Sequence, residues 1–416
     1  MPTNIASRLA ATERGNNNDQ ARRHNLSTML GILHRHGMQT RAELTRRTGL
    51  NRSTIGALVG ELVALGLVNE ASTPQTAVDA PAAGRPAGRS AGRPSPTVKV
   101  RESVAAIAVN PDTDAVTIGL IGLGGAVLGR VRRPTATIPS AAEVVSMVVE
   151  AAQAMAAEIS ELQIIAVGAA VPGLVNTSTG TVAFAPHLGW RNEEFADALE
   201  SALGVDAAVG NDANLGAIAE GLYGAGRGAA DFVYLNGSTS GIGGGVFSAG
   251  HPLFGAHGYG AELGHTRVNA SGRACHCGRT GCFETEVNIR RLLAPIELRS
   301  VDLDELDAVL RGPHSSRLRP EVTRQLDVIA EKIVDFISIF DPELVILGGH
   351  LGSLYDVAAS YLDSWHASMS FASLERTVTI KRAQLGPNLL LIGAAEIAFA
   401  RLLADPSSIA SLEILA

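Results

Sequence analysis

All three cysteines of this 416-residue chain, Cys275, Cys277 and Cys282, lie in one short stretch running from Glu262 to Glu284. An odd number of thiols cannot pair completely, and the start Met1-Pro-Thr-Asn-Ile lacks the charged-then-apolar pattern of a secretory signal, so a disulfide framework is not expected. Three thiolates and one imidazole would fill a tetrahedral zinc site. His265, upstream in Glu262-Leu-Gly-His265, is the natural fourth ligand, and His276 competes for the place. Gly278 and Gly281 supply the turns that bring the ligands round. Four protein ligands leave no open position, which makes such a zinc structural. The alternative is three buried thiols with no metal.

The chain is too long for one hydrophobic core, so two or three domains are expected. Its 46% hydrophobic and 18% charged residues suit a globular protein, and no apolar run reaches bilayer length. A cytoplasmic location is expected. The net charge of −7 is unevenly spread. Residues 1–100 hold 13 of the 34 basic residues and 6 of the 41 acidic ones, leaving 21 against 35 for the rest. A basic beginning on an acidic body points to a polyanionic partner for the first part alone.

Residues 1–19 lack periodicity and are expected to be disordered. Leu26, Met29, Leu30 and Leu33 then recur at helical spacing. Thr40 with Glu43 forms a capping box for a helix Arg41–Thr48, and Gly49-Leu50 turns the chain into a second helix ended by Gly66. Helix, short turn, helix within residues 20–70 predicts a winged helix-turn-helix, with Leu67–Glu70 starting the wing. Arg52, Ser53 and Thr54 would stand at the N-terminus of the recognition helix, with Arg41, Arg46 and Arg47 beside the DNA backbone. Any small helical bundle would show the same apolar spacing. Residues 71–97 change abruptly to Pro, Ala, Gly, Ser and Arg, with Ala-Gly-Arg repeated at Arg85, Arg89 and Arg93. That segment reads either as wing and linker or as arginines laid into a minor groove.

From Val98 short β-branched runs alternate with helices, predicting an α/β body of two lobes, 98–208 and 209–392. Three turns there bear on chemistry. Val171-Pro172-Gly173 follows a strand, where α/β folds bind ligands. In Asn211-Asp212-Ala213-Asn214 a side chain either caps a helix or accepts a proton. Ser238–Gly245 is rich enough in glycine for backbone amides to approach an anion.

Together these segments resemble the ROK family of repressors, open reading frames and sugar kinases. The resemblance covers nearly the whole chain from about Gln20. It rests on Pro172-Gly173, Ala185–Trp190, Asn211–Asn214, Glu262-x-Gly-His265, the run from Cys275 to Glu284, Asp341-Pro342-Glu343, Gly348-Gly349 and Ile392–Ala395. It implies an actin-like (sugar kinase/ribonuclease H-like) domain of two α/β lobes around a cleft, with the C-terminal helix 393–416 returning to the first lobe. It also implies that Asp212 corresponds to the kinase general base. Gly173, Asn211, Asp212, Glu262, His265 and Glu284 would then form the sugar site, with Cys275, Cys277, Cys282 and His265 on zinc. His265 would serve metal with one ring nitrogen and sugar with the other.

The departures bear on activity. Family kinases carry an Asp-x-Gly-Gly-Thr loop around the ATP phosphates, whereas this chain has Asn110-Pro111-Asp112-Thr113-Asp114. Proline removes a donor and the aspartates repel phosphate. The second phosphate loop differs mildly, and His187 replaces a usual asparagine. The expectation is therefore a sugar-responsive, DNA-binding transcriptional regulator of carbohydrate-metabolism genes, a repressor. It would lack catalytic residues of its own, hold zinc, and act on operator DNA as a homodimer or homotetramer, without membrane contact. The alternative is an active ATP-dependent sugar kinase with a regulatory DNA-binding head. A sugar-binding protein whose head contacts other proteins is a third class.

Overall fold

The computed structural model describes residues 18–71, 95–298, 301, 303–369 and 378–411. Arg85, Arg89 and Arg93 lie outside the described residues, as do 1–17 of the segment expected to be disordered.

The head opens with α1 (Asn18–His36), β1 (Gln39–Thr40), α2 (Arg41–Thr48), α3 (Arg52–Ala64) and β2 (Val68–Ala71). Thr40 Oγ1 accepts the Glu43 amide at 3.1 Å while Glu43 reaches back to the Thr40 amide at 2.7 Å, the reciprocal cap that starts α2. Gly49, at φ 71°, ends it in the left-handed conformation that a side chain resists, and Asn51 caps α3. The wing is completed by β3 (Thr97–Val100), which lies between β1 and β2 in one antiparallel sheet. Val98 and Val100 therefore belong to the head, and not to the first lobe in which they were expected.

The first lobe contains β4 (Val104–Pro111), β5 (Ala115–Gly122), β6 (Ala126–Pro134), α4 (Ala141–Ala156) and β7 (Gln163–Val171). Three short strands follow, β8 (Leu174–Asn176), β9 (Thr181–Ala185) and β10 (Trp190–Glu193), then α5 (Phe195–Leu203) and β11 (Asp206–Asn211). The main sheet runs β11-β7-β4-β5-β6, and β8–β10 form a separate antiparallel sheet. Because β11 pairs with β7 as far as Asn211, the sheet passes the boundary expected at 208/209.

The second lobe begins after α6 (Asp212–Tyr223) with β12 (Phe232–Gly237), β13 (Ile242–Ser248) and β14 (His251–Pro252). The short helices α7 (Phe283–Glu286) and α8 (Ile289–Leu293) follow the cysteine segment. Next come α9 (Leu303–Arg311), α10 (Ser315–Phe340), β15 (Leu344–Gly348), α11 (Gly349–Met369, kinked at Ala358) and β16 (Thr379–Arg382). Its sheet is ordered β14-β13-β12-β15-β16. Within each lobe two antiparallel hairpin steps precede two parallel additions, so both sheets share one topology. The described residues end with α12 (Leu389–Ala398), α13 (Ala400–Ala404) and a 3-10 turn, Pro406–Ser411, where a single helix was expected.

Helix α12 returns to the first lobe, where a Cβ at Gly168 of β7 would lie 1.9 Å from the Ala394 carbonyl oxygen, so only glycine permits this contact. One hydrophobic core runs from the head (Leu30, Leu44, Ile55) through Ala106 and Leu123 to Ala394 and Phe399. Head and first lobe are thus packed together, a winged helix-turn-helix on a two-lobed actin-like body.

Candidate functional site

The cysteine segment folds back on itself because its glycines allow it. Gly278 (φ 85°) and Gly281 (φ 69°) are left-handed, and a Cβ at Gly281 would lie 1.5 Å from the Asn269 carbonyl oxygen. His265 comes from a separate short 3-10 turn, Leu263–His265. One ligating atom each of His265, Cys275, Cys277 and Cys282 then falls within 4.8 Å of the others. Cys277 Sγ and Cys282 Sγ are 3.6 Å apart, as are Cys275 Sγ and His265 Nδ1. Zinc bonds of about 2.3 Å to sulfur and about 2.0 Å to nitrogen, at tetrahedral angles, require ligand separations of roughly 3.5–3.8 Å. The donor set and its spacing fit that ion. His276 Nδ1 is 4.0 Å from Cys275 Sγ and joins a second group with His265, Cys275 and Glu284. Burial, followed by the Glu284 hydrogen bond, raises the Cys275 thiol pKa, a cost that a bound cation would remove.

His265 and Cys277 of the cluster also line a cleft of about 360 Å³ between the lobes. Among its lining residues are Gly173, His187, Asn211, Asp212, Glu262, His265, His276 and Glu284. The six expected sugar-site residues, drawn from distant segments, thus meet in one cavity. Asn211 Nδ2 donates to the Gly173 carbonyl at 3.0 Å, while its Oδ1 caps α6 by accepting from the Asn214 amide at 3.0 Å. Capping therefore belongs to Asn211, which leaves Asp212 facing the cavity. Burial, and then the charge of Asp112, pushes the Asp212 carboxyl up to about 6. Partial loss of hydration, followed by the Asp212 and Glu284 charges, pushes Glu262 up to about 7. His265 Nε2 lies 3.8 Å from Glu262, so one ring nitrogen faces the cysteines and the other faces a cavity carboxylate. Glu284 bridges the two regions. Its Oε1 accepts from Cys275 at 2.9 Å, and its Oε2 would lie 2.3 Å from a Cβ at Gly241 in the glycine-rich turn. The lining residues Asn236, Ser238 and Ser240 were not singled out individually from the sequence. Only the Ser238–Gly245 glycine signal pointed to that turn.

The turn after β4 is closed on itself. The Asp112 amide donates to the Ala115 carbonyl at 2.8 Å, the Thr113 amide to Asp112 Oδ1 at 2.7 Å, and Pro111 has no N–H. Asp114 pairs with Arg132 at 2.7 Å. Burial raises the Asp112 carboxyl pKa, and its charge acts on both Asp212 and His187.

On the head, Arg46, Arg47, Arg52 and Ser53 are exposed and Thr54 is half-buried at the start of α3. Arg41 is engaged, with its guanidinium gripping Glu70 of β2 through two bonds of 2.5 and 2.6 Å. The Ser53 hydroxyl donates to Asn51 Oδ1 at 2.6 Å. Arg41 thus ties α2 to the wing, an ion pair across 29 positions that helical spacing did not announce.

A model described as the ROK family matches residues 106–401. The glucokinase of Streptomyces coelicolor is 30% identical over 304 residues, covering 68% of this chain and 94% of that protein. The xylose repressor of Bacillus subtilis is 25% identical over 365 residues, covering 86% of this chain and 90% of that protein. The latter span exceeds what the body can supply, so it extends into the head. Among solved structures, a ROK family transcriptional regulator described as a homologue of the E. coli MLC protein has a TM-score of 0.74 at 23% identity, over 94% of this chain and 99% of that one. That likeness speaks to the fold. A ROK family glucokinase from Streptomyces griseus, in complex with glucose and AMPPNP, has a TM-score of 0.58 at 27% identity, over 71% of this chain and 99% of that one. A family match across most of the sequence, joined by a relative of 30% identity along two thirds of it, settles the relationship: the chain belongs to the ROK family.

Proposed function

We propose that this protein is a sugar-responsive transcriptional repressor of carbohydrate-metabolism genes, binding operator DNA through its head and a sugar or sugar derivative in the cleft. The observation that carries the reading is the turn after β4, whose Asp112 and Thr113 amides are already engaged and whose side chains are acidic. A triphosphate is held by free backbone donors and positive potential, whereas two amides of this turn are taken and two of its side chains are acidic. The cleft nevertheless keeps amides and carboxylates suited to a ring of hydroxyls. Zinc on His265, Cys275, Cys277 and Cys282 would fix His265 and Glu284 in place, a structural role. A homodimer or homotetramer would present paired heads to an operator with matching half-sites.

Gel-shift titration with the DNA upstream of its own gene and its neighbours tests the head. Arg52→Ala should weaken the shift about tenfold or more, and an unchanged shift would count against α3 as the reading helix. A second reading, an active sugar kinase, draws on Asp212, raised to about 6 as a general base would be. Sustained hexose-dependent ADP release with ATP and magnesium would establish it, and its absence supports the pure regulator.

A further inference from the structure

A buried polar cluster joins the head to the body, away from both the cleft and the operator-facing residues. His34 of α1 is 1% exposed and Glu396 of α12 is 8% exposed. His34 Nδ1 accepts the backbone N–H of Gly124, in the β5–β6 turn, at 2.9 Å. An amide can only donate, so the imidazole proton must sit on Nε2. From there it faces both oxygens of Glu396, at 2.9 and 3.0 Å. The Tyr223 hydroxyl, at the last residue of α6, donates to Glu396 Oε1 at 2.9 Å and lies 2.9 Å from His34 Nε2, whose proton it shares with the carboxylate. The rings of Tyr223 and Phe399 pack edge-on against His34. One buried carboxylate therefore takes its donors from two places, the head and the end of α6.

The other end of α6 is the cleft itself, where Asn211 caps the helix and Asp212 opens it. Between these ends the helix has little freedom to bend or slide. A Cβ at Gly393 of α12 would lie 2.3 Å from the Leu215 carbonyl oxygen, so α12 touches α6 backbone close to Asp212. Close-packed elements of this kind move as bodies and repack in discrete steps.

We propose that His34, Glu396 and Tyr223 couple the cleft to the DNA-binding head. Rearrangement of the lobes around a sugar shifts α6, moves Tyr223 against α12, and makes or breaks one of the two donors on Glu396. The head is held in one orientation by the full set and freed when a donor leaves. The inference rests on the regulator reading and assigns that reading its means of communication.

Tyr223→Phe removes the donor and keeps the ring. Wild type and variant are titrated onto the DNA upstream of the protein's own gene, with and without D-xylose or D-glucose, while thermal shift reports sugar binding separately. The variant should keep the sugar-induced thermal shift, and the sugar-dependent change in DNA affinity should shrink about tenfold. A fully retained sugar response overturns the proposal. If the wild type binds neither this DNA nor either sugar, the regulator reading is what fails, and hydrogen exchange on the ligand-free protein decides the coupling. There Tyr223→Phe and Glu396→Gln should each raise exchange at 26–36 and at 212–216 together. A change confined to one end overturns the coupling.

Discussion

Asp212 and the cysteine cluster show at the level of single side chains how this site is set. The Asp212 carboxyl ionises near 3.8 in an unfolded chain and near 6 in the folded one, so the folded state binds more protons across that interval. Its charge therefore opposes folding increasingly from pH 3.8 to 6, and fully above 6. The residue keeps some surface in the open cleft, where solvent screens part of the charge effect, so Asp212→Asn should stabilise the protein by about 1–2 kcal/mol at pH 7.5, and the gain should vanish below about pH 4. Chemical denaturation at several pH values measures it, and a gain independent of pH would refute the charge argument. For Cys277, exposed at the mouth of the cluster, replacement by serine should abolish retention of about one zinc per chain through dialysis, as metal analysis would show. The cysteine and histidine spacing was legible because one short segment supplies three of the four donors. The approach of Asp112 to Asp212 was not, because nothing local records which strand ends a fold will bring together.

Local signals fixed helix starts better than strand pairing. Thr40-x-x-Glu43 announced α2 because the reciprocal cap needs only those two side chains at that spacing. Thr40→Ala should cost about 1 kcal/mol, read as a lower midpoint in urea with an unchanged slope. An unaltered midpoint would show the cap to be redundant. The small β8–β9–β10 sheet left no such mark, since strands as short as Leu174–Asn176 carry too little alternation to stand out. The role of β3 was hidden for a different reason. Its partners β1 and β2 precede a long compositional break, which made Val98 look like the start of a new unit.

At the scale of the whole molecule, the duplicated strand order and the returning α12 explain why a two-lobed body could be read from alternating runs alone. The head's attachment could not be read that way. It depends on the His34–Glu396 contact across 362 positions and on a core shared with Ala394 and Phe399. The described residues on either side of 72–94 form β2 and β3, which pair in the wing sheet. Both flanks of those residues therefore belong to the head. A chain with a protease site inserted there should, once cut, run as a single species in gel filtration under native conditions, and its two fragments should separate only in denaturant. Dissociation on cutting alone would contradict the shared core. The consequence is one of modularity: the head of this protein is not a cassette, and transplanting residues 18–100 onto another body would carry away half of an interior that the new body must also provide.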